Sequence, residues 1–225
     1  IACRTIALLR NSIQPETIII FGSHLGPTSA PCIMAEDAID TPFGPLSIDS
    51  RLAEALLKNF SFEIETAHNF SPDNTIELQM PFIRYFFGDA RVVAMGVPPT
   101  EESLSLAESV VEIARDQNID LVVIGSTDLT HYGPNYGFTS KGAGPSAVDW
   151  VREHNDRQVI DAMIRMDPQA VIHEGTHHDN ACCSGAAAAA IAAGKALGAQ
   201  RAEELVYATS YDKSPGDSLV GYVGM

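Results

Sequence analysis

The run Gly125-Ser126-Thr127-Asp128-Leu129-Thr130-His131-Tyr132-Gly133 sets an acid and an imidazole three residues apart. On a turn both face one cleft. Asp128 then accepts one ring N–H of His131 and leaves the other nitrogen to act as acid or base near neutral pH. The plainer alternative has Asp128 capping its own turn and His131 packing on Tyr132. Ser126, Thr127 and Tyr132 flank the pair and offer hydroxyls to a substrate. A serine nucleophile fits poorly, because the segment lacks the second glycine of a Gly-x-Ser-x-Gly elbow and triad members approach from different directions. His24, just after Gly22-Ser23, is a metal ligand, a hydrogen-bond donor to substrate, or a loop histidine without consequence. Cys182-Cys183 precede an alanine-rich run. A thiol at a helix N-terminus gains thiolate character suited to metal binding or redox work, whereas most free cysteines are small buried hydrophobes. Helical neighbours diverge by about 100°, so at most one of the two is expected to point into a pocket. His178 stands four residues before Cys182 and shares an ion with it if the segment is helical. A solvated loop at a helix start is the simpler reading of His177-His178-Asp179. His68, His154 and His173 lack clustered partners and read as surface groups.

The elements that carry these residues follow from hydrophobic pattern. Residues 17–21 and 119–124 are apolar, β-branched runs that read as buried strands, and His24 and Asp128/His131 lie just beyond them. Ligand sites in open α/β sheets sit outside the carboxyl ends of strands, so two strand ends delivering histidines point to one pocket. Further strands are expected at 61–66, 91–97, 205–210 and 218–223. Helices are expected before residue 10, at 50–59, 101–117, 147–166, from Asp167-Pro168, and from Asn180 or Ser184 to about 197. Asp73-Asn74-Thr75-Ile76-Glu77 has the form of a capping box, and Pro81 predicts a break soon after it. Residues 27–45, rich in proline and glycine, read as a loop, and 140–146 as a mobile one. Strands alternating with helices predict one α/β domain over 1–225, a mostly parallel sheet with helices on both faces.

Composition narrows the function. The 225 residues are 45% hydrophobic, enough for a sizeable core. Lys and Arg total 14 against 29 Asp and Glu, a net charge of −15. Such a surface repels nucleic-acid phosphates and anionic membranes. No run is long enough to span a bilayer, no secretory signal is evident, and the chain starts at Ile1, so upstream residues are expected to be missing. Four cysteines without a regular framework point to the reducing cytoplasm. There is no dinucleotide fingerprint and no P-loop.

Five ordered blocks resemble the Memo family: Gly22-Ser23-His24, residues 73–82, residues 126–133, Asn180-Ala181-Cys182-Cys183-Ser184-Gly185, and Tyr207-Ala208-Thr209-Ser210 with Asp217-Ser218. The resemblance spans nearly the whole chain. It implies the fold of class III extradiol ring-cleaving dioxygenases, which hold non-haem iron, and a radical-SAM protein as partner. It places His24 and Cys182 as metal ligands, with Cys183 the less favoured register, and His131 as acid/base oriented by Asp128. A further family histidine belongs to a segment upstream of Ile1. Asn74 stands where the family has histidine, and Cys182-Cys183 where it has Cys-Gly. The expected activity is a metal-dependent oxidoreductase, dioxygenase-like, using iron or copper on a small molecule. The alternatives are a peptide- or partner-binding module using the same cleft, and a hydrolase using metal-bound water.

Overall fold

β-branched residues lose rotamer freedom in a helix and pack well on a pleated surface, which makes the run after Pro15 a strand. In the computed structural model, which describes residues 1–225, it is buried along its whole length. Chain order is α1 (Ala2–Ser12), β1 (Thr17–Gly22), β2 (Cys32–Met34), β3 (Ala38–Ile39), β4 (Leu46–Ser47), α2 (Ser50–Asn59), β5 (Glu63–Glu65), α3 (Asn74–Glu77) and α4 (Met80–Phe86). Then come β6 (Arg91–Gly96), α5 (Glu101–Asp116), β7 (Leu121–Gly125), β8 (His131–Tyr132), α6 (Pro145–Trp150), α7 (Asp156–Ile164), α8 (Pro168–His178), α9 (Ser184–Ala196), β9 (Val206–Thr209) and β10 (Leu219–Gly224).

The central sheet has the order β5-β2-β6-β1-β7. β1 runs parallel to both β6 and β7, and β2 is parallel to β5; only the β2–β6 pairing is antiparallel. Alternate residues of β1 feed opposite faces. Ile19 and Phe21 join the core under α5, α7 and α9, while Ile18 and Ile20 join the core under α1 and α4. The expected mostly parallel sheet with helices on both faces is what the chain forms. No helix is long and apolar enough to cross a membrane.

Two details differ from the sequence reading, and one expected break is found. Residues 27–45 hold β2 and β3, of three and two residues, too short to show periodicity between prolines and glycines. Pro81 does mark a break: α3 ends at Glu77, and Pro81 sits in the first turn of α4, where its missing N–H costs nothing. The helix expected at 147–166 is interrupted by a π turn, Val151–Asn155. The extra residue in that turn puts Asn155 and Asp156, neighbours in sequence, both into the interior.

At the amino ends of the strands, Asp49 caps α2 by accepting the Leu52 N–H at 3.1 Å, and accepts the Thr17 hydroxyl at 2.5 Å. Arg91 Nε lies 3.3 Å from the same buried carboxylate. At the carboxyl end of β7, Gly125 is in register with Phe21 of β1. A Cβ there would lie 2.7 Å from Ala190 Cβ and 2.8 Å from Ala186 O, so α9 packs directly on the strand end.

Candidate metal centre

Ser23, at the exit of β1, has φ 72°, a left-handed conformation uncommon for a residue with a side chain. Its N–H donates to Thr75 Oγ1 at 2.8 Å, which holds the turn. The chain therefore leaves the sheet sharply and presents His24 beside the N-terminus of α3. Asp73 caps that helix, accepting the Thr75 N–H at 2.9 Å through Oδ1. Its other oxygen, Oδ2, accepts the His24 backbone N–H at 3.0 Å and lies 2.8 Å from His24 Nδ1. With Nδ1 engaged, Nε2 is the nitrogen left for chemistry. Burial alone would lower the His24 pKa, but the Asp73 carboxylate and the Cys182 sulfur outweigh it and raise it.

The loop after β7 and the segment before α9 are stitched together through their backbones. Cys182 N–H donates to Asp128 O at 3.1 Å, and Asp128 N–H donates to Cys182 Sγ at 3.3 Å. Cys183 N–H donates to Thr127 Oγ1 at 3.0 Å, and that hydroxyl donates to Asp128 O at 2.8 Å. Thr127 thus spends its hydroxyl on positioning both thiols.

The divergence expected of the two cysteine side chains from helical rotation does not occur. The two Sγ atoms lie 3.7 Å apart, and both fall in a group with His24 whose ligand atoms are all within 4.8 Å of one another. The reason is local: Cys183 is the cap of α9, at φ −124° and ψ 54°, so the helical rotation between neighbours does not apply.

Cys182 also belongs to a second group of the same compactness, with Asp128 and His131. Hydrogen bonding from the Cys183 thiol lowers the Cys182 pKa against the opposing effect of burial, and His131 and the Asp128 N–H lower it further. Cys183 is correspondingly pushed up by its neighbour's charge and by burial. His131 is raised to about 9, by Asp128 first and by Cys182 next. His131 Nε2 is 3.5 Å from Asp128 Oδ2, an ion-pair distance at which no hydrogen bond is made, and this buried nitrogen has no hydrogen-bond partner at all. The His131 ring packs against Tyr136, centroids 4.9 Å apart.

Tyr132 is not brought into this group. Its ring is buried against Phe138 and Trp150, and its hydroxyl accepts the Lys141 N–H at 2.7 Å and donates to Gly142 O at 3.0 Å. Ser126 Oγ accepts from the Gln79 side chain at 3.3 Å. His178 does not join Cys182 either. It ends α8, the left-handed Asp179 breaks the helix, and the ring lies edge-on to His173. His173 has company after all, stacked on His177 with centroids 4.2 Å apart.

Gln79, Ser126, Thr127 and Asp128 form one wall of a cavity of about 740 Å³, otherwise lined mainly by apolar residues of α1, β7, α9 and β10. The volume is that of a small-molecule pocket. His24, His131 and Cys182 do not line it; of the donor groups only Asp128, in the 126–128 turn, does. Two contributors were missed in the sequence. Asp73 was legible only as a helix cap, and Tyr222, which lines the cavity within electrostatic reach of Asp128 and Cys182, carried no local signal.

The family profile described as Memo-like protein matches residues 1–225. The chain belongs to the Memo family. Among its curated relatives is a MEMO1 family protein of Methanopyrus kandleri, 33% identical, the match covering 100% of this chain and 77% of that protein. A MEMO1 family protein of Pyrococcus abyssi is 32% identical, covering 100% of this chain and 80% of its own length. The crystal structure of the uncharacterized protein JW3007 from Escherichia coli K12 superimposes with a TM-score of 0.56 over 97% of this chain and 91% of that one. At 15% identity it is a likeness of fold alone.

The donor groups of this Memo-family chain fit a metal ion on three structural counts. His24 has Nδ1 fixed by a carboxylate, the arrangement that orients a ligating imidazole. The Cys182 sulfur carries thiolate character, the form that ligates. Asp128, His131 and Cys182 bring their ligand atoms within 4.8 Å of one another.

Proposed function

We propose that this Memo-family chain is a metal-dependent oxidoreductase of the non-haem, dioxygenase-like kind, acting on a small molecule. The observation that carries the reading is the tethering of His24: Asp73 engages Nδ1 at 2.8 Å, and the imidazole lies in one compact group with the Cys182 sulfur, ligand atoms within 4.8 Å of one another. His24 and Cys182 would hold iron or copper, ions that accept imidazole and thiolate together. Bound there, the ion supplies the electron-transfer chemistry that side chains lack.

The chain's own residues do the rest. His131, raised to about 9, holds a proton at pH 7, and its unpartnered Nε2 is placed to give that proton to a substrate. Asp128 balances the imidazolium charge at 3.5 Å and keeps the ring turned to the site. The Tyr136 ring packs against one side of His131. Four free thiols suit a reducing compartment, in keeping with a cytoplasmic protein.

The apolar cavity supports a second reading, a binding module, because it meets the donor groups only through the 126–128 turn. Elemental analysis separates the two. Protein purified without chelators or tags is compared with a His24→Ala variant. Stoichiometric iron or copper that disappears in the variant supports the oxidoreductase. A wild type without metal, even after anaerobic reconstitution, overturns it and leaves the binding module.

A further inference from the structure

Residues 173–177 read His-Glu-Gly-Thr-His and lie in the last turns of α8, outside both donor groups that share Cys182. Residues four apart on a helix are neighbours on one face. The exposed rings of His173 and His177 accordingly stack, with centroids 4.2 Å apart and planes at 28°, and His178 meets His173 edge-on at 5.9 Å. His177 Nδ1 lies 3.0 Å from the His173 carbonyl oxygen. A carbonyl can only accept, so the ring proton sits on Nδ1 and Nε2 keeps its lone pair. Ligating histidines are fixed in this way, by donating the other ring N–H to a backbone carbonyl. The helix end is itself anchored: Asn155 Nδ2 donates to His178 O at 3.1 Å, and the left-handed Asp179 stops the helix. The negative end of the helix dipole and the net charge of −15 both favour a cation there.

We infer that His173 and His177 form a second metal site at the end of α8, an exposed imidazole pair that takes an exchangeable zinc ion. The inference shares no residue with the proposed function and does not rest on it. Two histidines in the order His-Glu-x-x-His on a helix present both rings to one zinc ion. The Zn–N bonds are about 2.0–2.1 Å, which rings already in contact can meet by side-chain rotation. Imidazole suits zinc, and the pair offers no thiolate. In zinc peptidases of this spacing the glutamate activates the metal-bound water. Here the Glu174 carboxylate accepts Asn180 Nδ2 at 2.9 Å, which ties it to the segment leading to Cys182 rather than to a reacting water. Two protein ligands leave the remaining positions to water, so the ion is held more weakly than at a three- or four-ligand site.

The test uses the whole chain. Zn(II) is titrated in by calorimetry while the imidazole proton resonances are followed by NMR. Besides any ion at the thiols, the wild type is expected to bind one zinc that shifts the His173 and His177 resonances. His173→Gln and His177→Gln are each expected to weaken this binding by at least the roughly 10–100-fold that a lost outer partner costs. His24→Ala is expected to keep it, which separates this site from the centre of the proposed function. Both substituted positions are exposed, and melting in chelator checks that each variant is folded. Should one variant melt early, the other decides, together with the wild-type resonances. Zinc that leaves the two resonances unmoved, binding that survives both substitutions, or binding lost equally in His68→Gln, an exposed histidine elsewhere, overturns the site and leaves the proposed function standing.

Discussion

Asp128 and Cys182, 54 residues apart, hold each other through reciprocal bonds: the cysteine N–H on the aspartate carbonyl, the aspartate N–H on the cysteine sulfur. Acid and thiol are thus joined as one unit, with His131 three residues along the same loop. A change at either end of the pair is felt on both sides of the site.

That unit has a pH signature. His131 is raised from 6.5 to about 9, so its contribution to stability is complete below pH 6.5 and is lost as pH rises through about 9. Cys182 is lowered from 9.0, so its contribution is complete above pH 9 and is lost as pH falls. Between 6.5 and 9 the folded chain keeps the proton on His131 and the unfolded chain keeps it on Cys182. The two slopes oppose. Relative to wild type, the Tm of His131→Gln should climb with pH across this window, and that of Cys182→Ser should fall. Thermal melts in chelator from pH 6 to 10 read both differences. Parallel profiles in all three proteins would refute the pairing.

Asp73→Asn separates orientation from capping. Asparagine remains a good N-cap, so α3 should persist with little loss of Tm. The charge on His24 Nδ1 is removed, and metal affinity should drop by about 10–100-fold, the usual cost of losing such a partner. Competition titration and melting of the same samples check the split. Unchanged affinity would mean that His24 is not oriented for a metal.

Gly221→Ala tests the buried carboxylate beneath the 126–133 loop. Asp156 is fully buried, accepts the Thr130 N–H at 3.0 Å and the Tyr207 hydroxyl at 2.7 Å, and would lie 2.0 Å from the new Cβ. Overpacking of this kind costs about 1–3 kcal/mol. Gly216→Ala, where a Cβ meets nothing within 4 Å, is the control and should melt near the wild type. Denaturant unfolding compares them.

Tyr132→Phe removes the hydroxyl that ties down Lys141 and Gly142. Because water can replace it in an exposed loop, the stability cost should stay within about 1.5 kcal/mol. Cleavage by trypsin after Lys141 should nevertheless accelerate several-fold. A proteolysis time course shows whether the tyrosine or the loop's own turns hold it.

What was legible in the sequence was whatever a single element encodes. The β-branched runs ending near Phe21 and Ile124 placed His24 and the Asp128/His131 pair at strand ends, and Pro81 marked the break before α4. What was not legible depends on two segments meeting. Asp73 has an evident cap signature, but its second oxygen serves a histidine 49 residues away. The two cysteines were judged by helical rotation, yet the cap residue of α9 is non-helical, and an N-cap conformation leaves little trace in residue types. The hydroxyl of Tyr132 sits near the site in sequence and turns away from it in space, because Phe138 and Trp150 claim its ring.

The buried Asp49 cluster has a practical consequence for engineering. Asp49, Thr17 and Arg91 close the amino end of β1 and β6, while His24 and the thiols lie past the opposite end, across roughly 16 Å of β1 alone. Substitutions at that distance without shared partners combine additively. Robustness can therefore be tuned at one end of the sheet, for instance around Glu16 and Arg91, which already pair there, while variants at the other end are screened for new chemistry without redoing the first set.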